Sequence, residues 1–246
     1  METEKIIEYI KNYVKNAHSK GVVIGMSGGK DSFVTAKLCS LALGNQNVFG
    51  VIMPDGKMKD ITVAEQECKL LNIRYTTLDI KGVTDQIKLN TKAALKTEEL
   101  SEVTLVNIAP RVRMTTLYSI AGTLGYLVVN TSNLSESMIG YTTKYGDSVG
   151  DFAPLLTLTK TEVCNLGLEL GLPEKFVLKK PDDGLSGKTD EEKIGFTYDE
   201  LDEYIRTGNK GENFDKILKM HKNSAHKRGI INRFESGKQN YFDNII

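Results

Sequence analysis

Apolar positions along this chain switch repeatedly between a helical and an extended period. Residues 3–18 place Ile6, Ile7, Ile10, Tyr13 and Val14 on one helical face with lysines and acids opposite, which predicts an amphipathic helix. The run Gly21-Val22-Val23-Ile24-Gly25-Met26 has the composition of a buried strand, and Phe33 to Leu43 returns to helical spacing until Gly44 stops it. Val48-Phe49-Gly50-Val51-Ile52-Met53-Pro54 is a second strand. Asp60 or Thr62 then caps a helix carrying Val63, Ala64, Cys68, Leu70 and Leu71, and Arg74-Tyr75-Thr76-Thr77-Leu78 is a third strand. Strands that alternate with helices in this way predict a doubly wound, mainly parallel sheet with helices on both faces, a Rossmann-like α/β fold.

The second half is less regular. A helix is expected over Thr84–Leu95, and Asn107 reads as the cap of a long helix with Pro110 in its first turn and Val112, Leu117, Ile120 and Leu124 inside. Leu127-Val128-Val129-Asn130 is the fourth strand. Gly140–Gly150 is rich in Gly, Thr and Tyr without a period, as a functional loop would be. Thr159 caps a helix ending near Gly171, Pro181–Gly195 reads as a mobile loop or lid, and Thr197-Tyr198-Asp199-Glu200 is a capping box opening a helix to about Thr207. A last helix over Glu212–His221 precedes the basic run His226-Lys227-Arg228. No internal repeat appears, and 246 residues suit one domain spanning 1–246.

Composition narrows the classes. Formal net charge is zero, so no global field recruits nucleic acid or a membrane surface, and no apolar run is long enough to span a bilayer. Cys39, Cys68 and Cys164 are widely spaced with no CxxC pair, which points away from a disulfide framework or zinc site and toward a reducing cytoplasm. Met1–Lys5 carries acids and no apolar core, so a signal peptide is not expected.

Chemistry concentrates where the first strand turns into a helix. Ser27-Gly28-Gly29-Lys30-Asp31-Ser32 aims backbone N–H groups and a helix dipole at one spot, the arrangement that receives a phosphate. The Walker loop and the dinucleotide fingerprint both fail, the first because Ile24 and Asp31 stand at its required Gly and Ser/Thr places. A glycine turn in any doubly wound protein would be the plainer explanation. Because ligands of open α/β sheets bind beyond the C-terminal strand ends, Thr131-Ser132-Asn133 and Glu136 are expected to face the same crevice.

The loop resembles that of the N-type ATP pyrophosphatases, and the chain as a whole resembles the ammonia-dependent NAD synthetases within that superfamily. The resemblance runs through Gly25–Ser32, Arg111-Val112-Arg113-Met114, Asn130–Glu136, Thr143–Asp147, Leu156–Lys160, Lys180-Pro181, Thr189-Asp190-Glu191 and His226-Lys227-Arg228. It implies an adenine nucleotide alpha hydrolase-like fold and a ligase in which ATP adenylates the nicotinate carboxylate of deamido-NAD and ammonia then displaces AMP. It further implies that Gly25, Met26, Ser27, Gly28, Gly29, Lys30, Asp31 and Ser32 cradle ATP, with Thr131 and Lys160 as further contacts. Asp31 and Glu136 would hold Mg2+. Arg111, Lys144, Asp151, His226 and Lys227 would meet deamido-NAD, with Arg113 a competitor of Arg111. Asp147 or Asp151 would take a proton from the attacking nitrogen. The family is homodimeric. One departure stands out: Asp182 occupies the position after Pro181 where many members carry Thr or Ser for ATP, leaving it to ribose hydroxyls, a second cation or a shifted loop.

Two other classes compete. Another amidating or thiolating ATP pyrophosphatase would need an N-terminal cysteine after Met1, where Glu2 stands, or paired cysteines and a basic RNA surface. A non-catalytic nucleotide sensor would need only the ATP half of the motifs.

Overall fold

The computed structural model describes residues 2–56, 61–179 and 189–229. The chain runs α1 (Glu2–Asn16), β1 (Val22–Gly25), α2 (Lys30–Leu43), β2 (Val48–Ile52), α3 (Ile61–Leu70), β3 (Arg74–Thr77), α4 (Lys81–Leu95), α5 (Glu102–Leu124) and β4 (Leu127–Val128). Six α-helices follow among the described residues: α6 (Leu134–Ile139), α7 (Lys160–Glu169), α8 (Glu174–Val177), α9 (Asp190–Ile194), α10 (Tyr198–Thr207) and α11 (Phe214–Asn223). The four described strands are parallel in the order β3-β2-β1-β4, with Val22 paired to Val48 on one side and to Leu127 on the other.

Alternation along the strands splits the core into two layers. Val22 and Ile24 face Ile10 and Val14 of α1, the buried face of α2 and Val163 of α7. Val23, Val51 and Val128 point the other way, to Ile108, Val112 and Ala121 of α5. A third cluster, Ile139, Ile194, Tyr198, Leu201 and Ile217, ties α6, α9, α10 and α11 together beyond the strand ends. Strand order reverses between β1 and β4, so the loops leaving these two strands border one crevice.

Of the two caps expected for α3, Thr62 lies inside the helix and Asp60 lies outside the described residues. The sheet and its other helices follow the sequence pattern, with three differences. The long helix starts earlier than expected: Ser101 is its cap, accepting from the Thr104 amide, and Pro110 lies inside α5. Asn107 is already helical there, its side-chain amide donating back to the Val103 carbonyl at 2.6 Å. The second difference is in the segment expected to be mobile. Its end, from Thr189 on, is helix α9 with a complete capping box between Thr189 and Glu192; the positions before it, Asp182 among them, lie outside the described residues. Third, Glu200 does not close a box on Thr197. Its carboxylate instead accepts from Asn213, at 2.7 and 2.8 Å, fastening the turn before α11.

Phe33 is fully buried in α2 and packs edge-on against Phe176 of α8, with ring centroids 5.6 Å apart. Phe33→Ala is expected to lower stability by about 3–5 kcal/mol, read as a lower urea midpoint at unchanged slope.

Candidate nucleotide site

The turn out of β1 is built for an anion. β1 pairing extends to Met26, whose amide donates to the Val51 carbonyl, and Gly28 then takes φ +77, a left-handed conformation that glycine adopts without strain. Ser32 Oγ donates to the Gly29 carbonyl at 2.9 Å, while Ser27 Oγ accepts from the Gly29 amide at 3.2 Å. Gly29 is the cap of α2 and has no side chain to turn inward, so the first-turn amides of that helix remain for an external acceptor. Lys30 contributes backbone alone to this cradle. Its side chain runs away, buried, to Cys164 on α7, with Nζ 3.3 Å from the sulfur.

Beside the loop, three segments distant in sequence converge on one ammonium. Lys160 Nζ lies 2.5 Å from Glu136 Oε1 and 3.7 Å from Asp31 Oδ2, and 4.5 Å from the centre of the Tyr198 ring. Asn133 links the same acids: its amide donates to Asp31 Oδ1 at 3.1 Å while its oxygen caps α6 through the Glu136 amide at 3.0 Å. A lysine opening a helix is electrostatically misplaced, and the two carboxylates supply the compensation. Burial opposes the charge on Lys160, yet Glu136 and Asp31 together hold its ammonium well above the usual lysine range. Burial pushes Glu136 up to about 7, against the pull of Lys160 and with the repulsion of Asp31. Two hard carboxylates around one cationic position suit Mg2+. Among the described residues no group of three or more metal-binding side chains occurs, so further ligands would be phosphate oxygens and water, the usual magnesium shell.

Sequence reasoning missed what holds Lys160 in place. Asp202 of α10, 6% exposed, accepts from the Thr161 amide at 2.8 Å and from Ser135 Oγ, which itself accepts from the Lys160 amide at 2.9 Å. An acid on one helix thereby caps another and joins it to α6. The available signal was a carboxylate on the face of α10 that also carries Tyr198, Leu201 and Ile205. The Tyr198 hydroxyl is buried with no hydrogen-bond partner among the described residues.

A second group forms around the next loop. Asn130 Nδ2 and Ser132 Oγ both donate to the Asp147 carbonyl, at 2.8 and 3.2 Å, stitching the β4 exit to residues 143–151. Thr131 lies between them, half-buried. The Asp147 carboxylate keeps open surface within a crowded crevice and accepts from the Thr143 amide at 2.7 Å; burial raises it and that hydrogen bond opposes the rise. Arg111 Nε donates to the Lys144 carbonyl at 3.2 Å, and Lys227 Nζ donates to the Gly140 and Thr142 carbonyls, both at 2.7 Å. Arg113 is turned inward to the Met53 carbonyl, 3.0 Å away, which separates it from exposed Arg111. Asp151 is also turned inward: its oxygens accept from the Val128 amide at 2.7 Å and the Tyr118 hydroxyl at 3.3 Å, extending the sheet edge. His226 is exposed next to Lys227, its Nδ1 3.2 Å from the Asn223 carbonyl.

Strand, Ser-Gly-Gly loop, helix and an acid–lysine cluster at a topological switch point define a nucleotide-binding α/β protein of the adenine nucleotide alpha hydrolase type. The NAD synthase family model matches residues 2–239, and the chain belongs to that family. It is 42% identical over 242 residues to the NH(3)-dependent NAD(+) synthetase of Finegoldia magna, covering 97% of both chains. Among solved structures it resembles the NH3-dependent NAD synthetase of Campylobacter jejuni, with a TM-score of 0.76 and 31% identity over 95% of this chain and 97% of that one. It also resembles the NMN synthetase of Francisella tularensis, with a TM-score of 0.87 and 30% identity over 94% and 96% of the respective chains.

Two outcomes test the cluster. The ordinary glutamate value is 4.5 and the folded one is about 7, so the contribution of Glu136 to stability is fully present below 4.5 and is lost as pH rises through 7. Carboxyl NMR should find Glu136 titrating near 7, and in Lys160→Met it should titrate higher still, because the opposing ammonium is gone. Asp202→Ala, which leaves the buried Ser135 hydroxyl without its acceptor and the Thr161 amide without its cap, is expected to cost about 1–3 kcal/mol in denaturant melts and to weaken nucleotide binding although Asp202 touches no ligand.

Proposed function

We propose that this chain is a ligase that makes NAD from deamido-NAD, ATP and ammonia, releasing AMP and pyrophosphate. What supports it most is one juxtaposition in a chain of this family. A phosphate cradle with Asp31, Glu136 and Lys160 borders the β1 exit, and Arg111, Lys144, Asp147 and Lys227 gather behind the β4 exit. One cluster suits ATP and the other a second anionic substrate.

The chemistry explains why both are needed. A carboxylate resists ammonia because its charge repels nucleophiles and it lacks a leaving group. Its oxygen attacks the α-phosphorus of ATP, pyrophosphate departs, and the resulting acyl-adenylate carries AMP as leaving group. Ammonia then adds to the acyl carbon, the nitrogen loses a proton and AMP leaves. The loop amides and Lys160 would neutralise the phosphates, with Thr131 and Asp182 as further ATP contacts. Asp31 and Glu136 would hold Mg2+, which screens the triphosphate and polarises it when bound. Arg111, Lys144, His226 and Lys227 would hold deamido-NAD. Asp147 is the proton acceptor in this scheme, because its carboxylate reaches open surface whereas both oxygens of Asp151 serve the sheet edge. Asp151 then positions the substrate loop. Holding the reactants in attack geometry supplies about 7–11 kcal/mol of the barrier reduction.

We further infer a homodimer and a cytoplasmic location, with the whole chain acting as one domain. A groove of about 1000 Å3 runs between α4 and α5, lined by Val83, Ile87, Ile108 and Arg111, and Val103 and Val106 expose further apolar surface. A second copy covering it would bring its surface beside Arg111 and the substrate site. Three free cysteines accord with a reducing compartment.

Mass spectrometry after incubation with ATP, Mg2+, ammonium and deamido-NAD should detect NAD. The resemblance to an NMN synthetase makes nicotinate mononucleotide the competing substrate, and a higher kcat/KM for it would displace the dinucleotide assignment. Asp147→Asn should lower kcat about 100-fold or more with little change in ATP binding. Ile87→Asp should yield monomers in analytical ultracentrifugation and a parallel loss of activity.

A further inference from the structure

Cys39 and Cys68 are sealed in the core, where burial pushes both thiols up. Cys164 is half-buried and differently placed. Its sulfur accepts from the Lys30 ammonium at 3.3 Å and donates its S–H to the Val177 carbonyl oxygen, 3.8 Å from the sulfur. Lys30 is 9% exposed, and among the described residues no oxygen accepts from its ammonium. A buried ammonium ordinarily takes oxygen acceptors, because a thiol returns little of the lost hydration. Nitrogen and sulfur are thus held together, partly open to small molecules, at a place where neither has a stronger partner among the described residues.

We propose that Lys30 and Cys164 form a covalent cross-link under oxidation by a peroxide. In the first step the sulfur attacks a peroxide oxygen: the O–O bond breaks, Cys164 becomes a sulfenic acid and water leaves. In the second, the Lys30 amine, having given a proton to solvent, attacks that sulfur. The S–N bond forms, the S–O bond breaks, and the departing hydroxide takes one of the two nitrogen protons to leave as a second water, so the linkage keeps one N–H. The product is a sulfenamide, which a dithiol reverses by attack at sulfur.

Position gives the cross-link its consequence. Lys30 is the first residue of α2, directly between Gly29 of the anion cradle and Asp31, and Cys164 lies one turn beyond Lys160 on α7. Closing a 3.3 Å contact to a covalent bond draws the start of α2 toward α7 and moves the cradle against the acid–lysine cluster. Oxidation therefore raises KM for ATP, reversibly. This effect on activity rests on the nucleotide-site assignment, whereas the bond itself does not.

The test is mass spectrometry of the whole protein treated with hydrogen peroxide, its remaining thiols alkylated, then digested with trypsin. The expected product joins the peptides carrying Lys30 and Cys164, is two hydrogens lighter than their sum, lacks cleavage after Lys30, and separates with dithiothreitol. It is absent from Cys164→Ser and from Lys30→Arg, whose guanidinium is a poor nucleophile. Cys164→Ser keeps the activity of the reduced enzyme and loses the sensitivity to peroxide. A sulfinic or sulfonic acid at Cys164 with Lys30 unmodified, or a cross-linked mass that retains oxygen, would overturn the proposal. A cross-link in a protein that makes no NAD even when reduced would sink the functional assignment and leave the cross-link standing.

Discussion

The site depends on a single buried cation. Lys160 is 4% exposed and is held between Glu136 and Asp31, which come from α6 and α2. Such a cluster is a weak source of stability, because desolvation offsets much of the attraction, but removing one partner of a buried pair costs about 3–5 kcal/mol. The three helices are thereby held to one mutual arrangement. That arrangement brings the α2 terminus, with its uncapped amides, beside two carboxylates, the setting that the proposed magnesium and triphosphate would use.

The rest of the fold can be traced outward from this point. Parallel pairing of β1 with both β2 and β4 makes the crevice, and Gly28 lets the chain turn sharply enough for α2 to start at its edge. Asn133 and Asp202 then lock the other two helices by capping them from side chains that also reach Asp31 and Ser135. Each cap satisfies backbone donors that would otherwise be stranded, so the same hydrogen bonds serve folding and site geometry. Behind the β4 exit, Lys227 and Arg228 donate to carbonyls at the end of α6 and in the turn after it, where cations are favoured. At Gly140 a side chain would collide with Ser224, its Cβ coming within 2.1 Å, which is how closely the terminal segment sits.

What was legible in the sequence follows from what is local. The strands, α1, α2 and the Ser-Gly-Gly turn were readable because period, composition and glycine placement act over a few residues. The convergence of Asn133 and Glu136 with the loop followed from the strand-end rule for open sheets. Pro110 misled because proline marks first turns more often than interiors, and Ser101 lay hidden in a polar stretch. Asp202 was out of reach because the amide it caps belongs to Thr161, 41 residues earlier. The inward turn of Asp151 has the same origin, since its partners belong to β4 and α5. Capping by a distant side chain leaves no spacing to read.

Activation of a carboxylate by adenylation is the central step proposed for this crevice. Deamido-NAD labelled with heavy oxygen in its nicotinate carboxylate, turned over with ATP, Mg2+ and ammonium, reports on that step directly. One labelled oxygen should pass into AMP and the other remain in the carboxamide of NAD. Label in pyrophosphate, or AMP free of label alongside NAD, would mean that the carboxylate never attacks the α-phosphorus, and the mechanism built on the loop, Asp31, Glu136 and Lys160 would have to be abandoned.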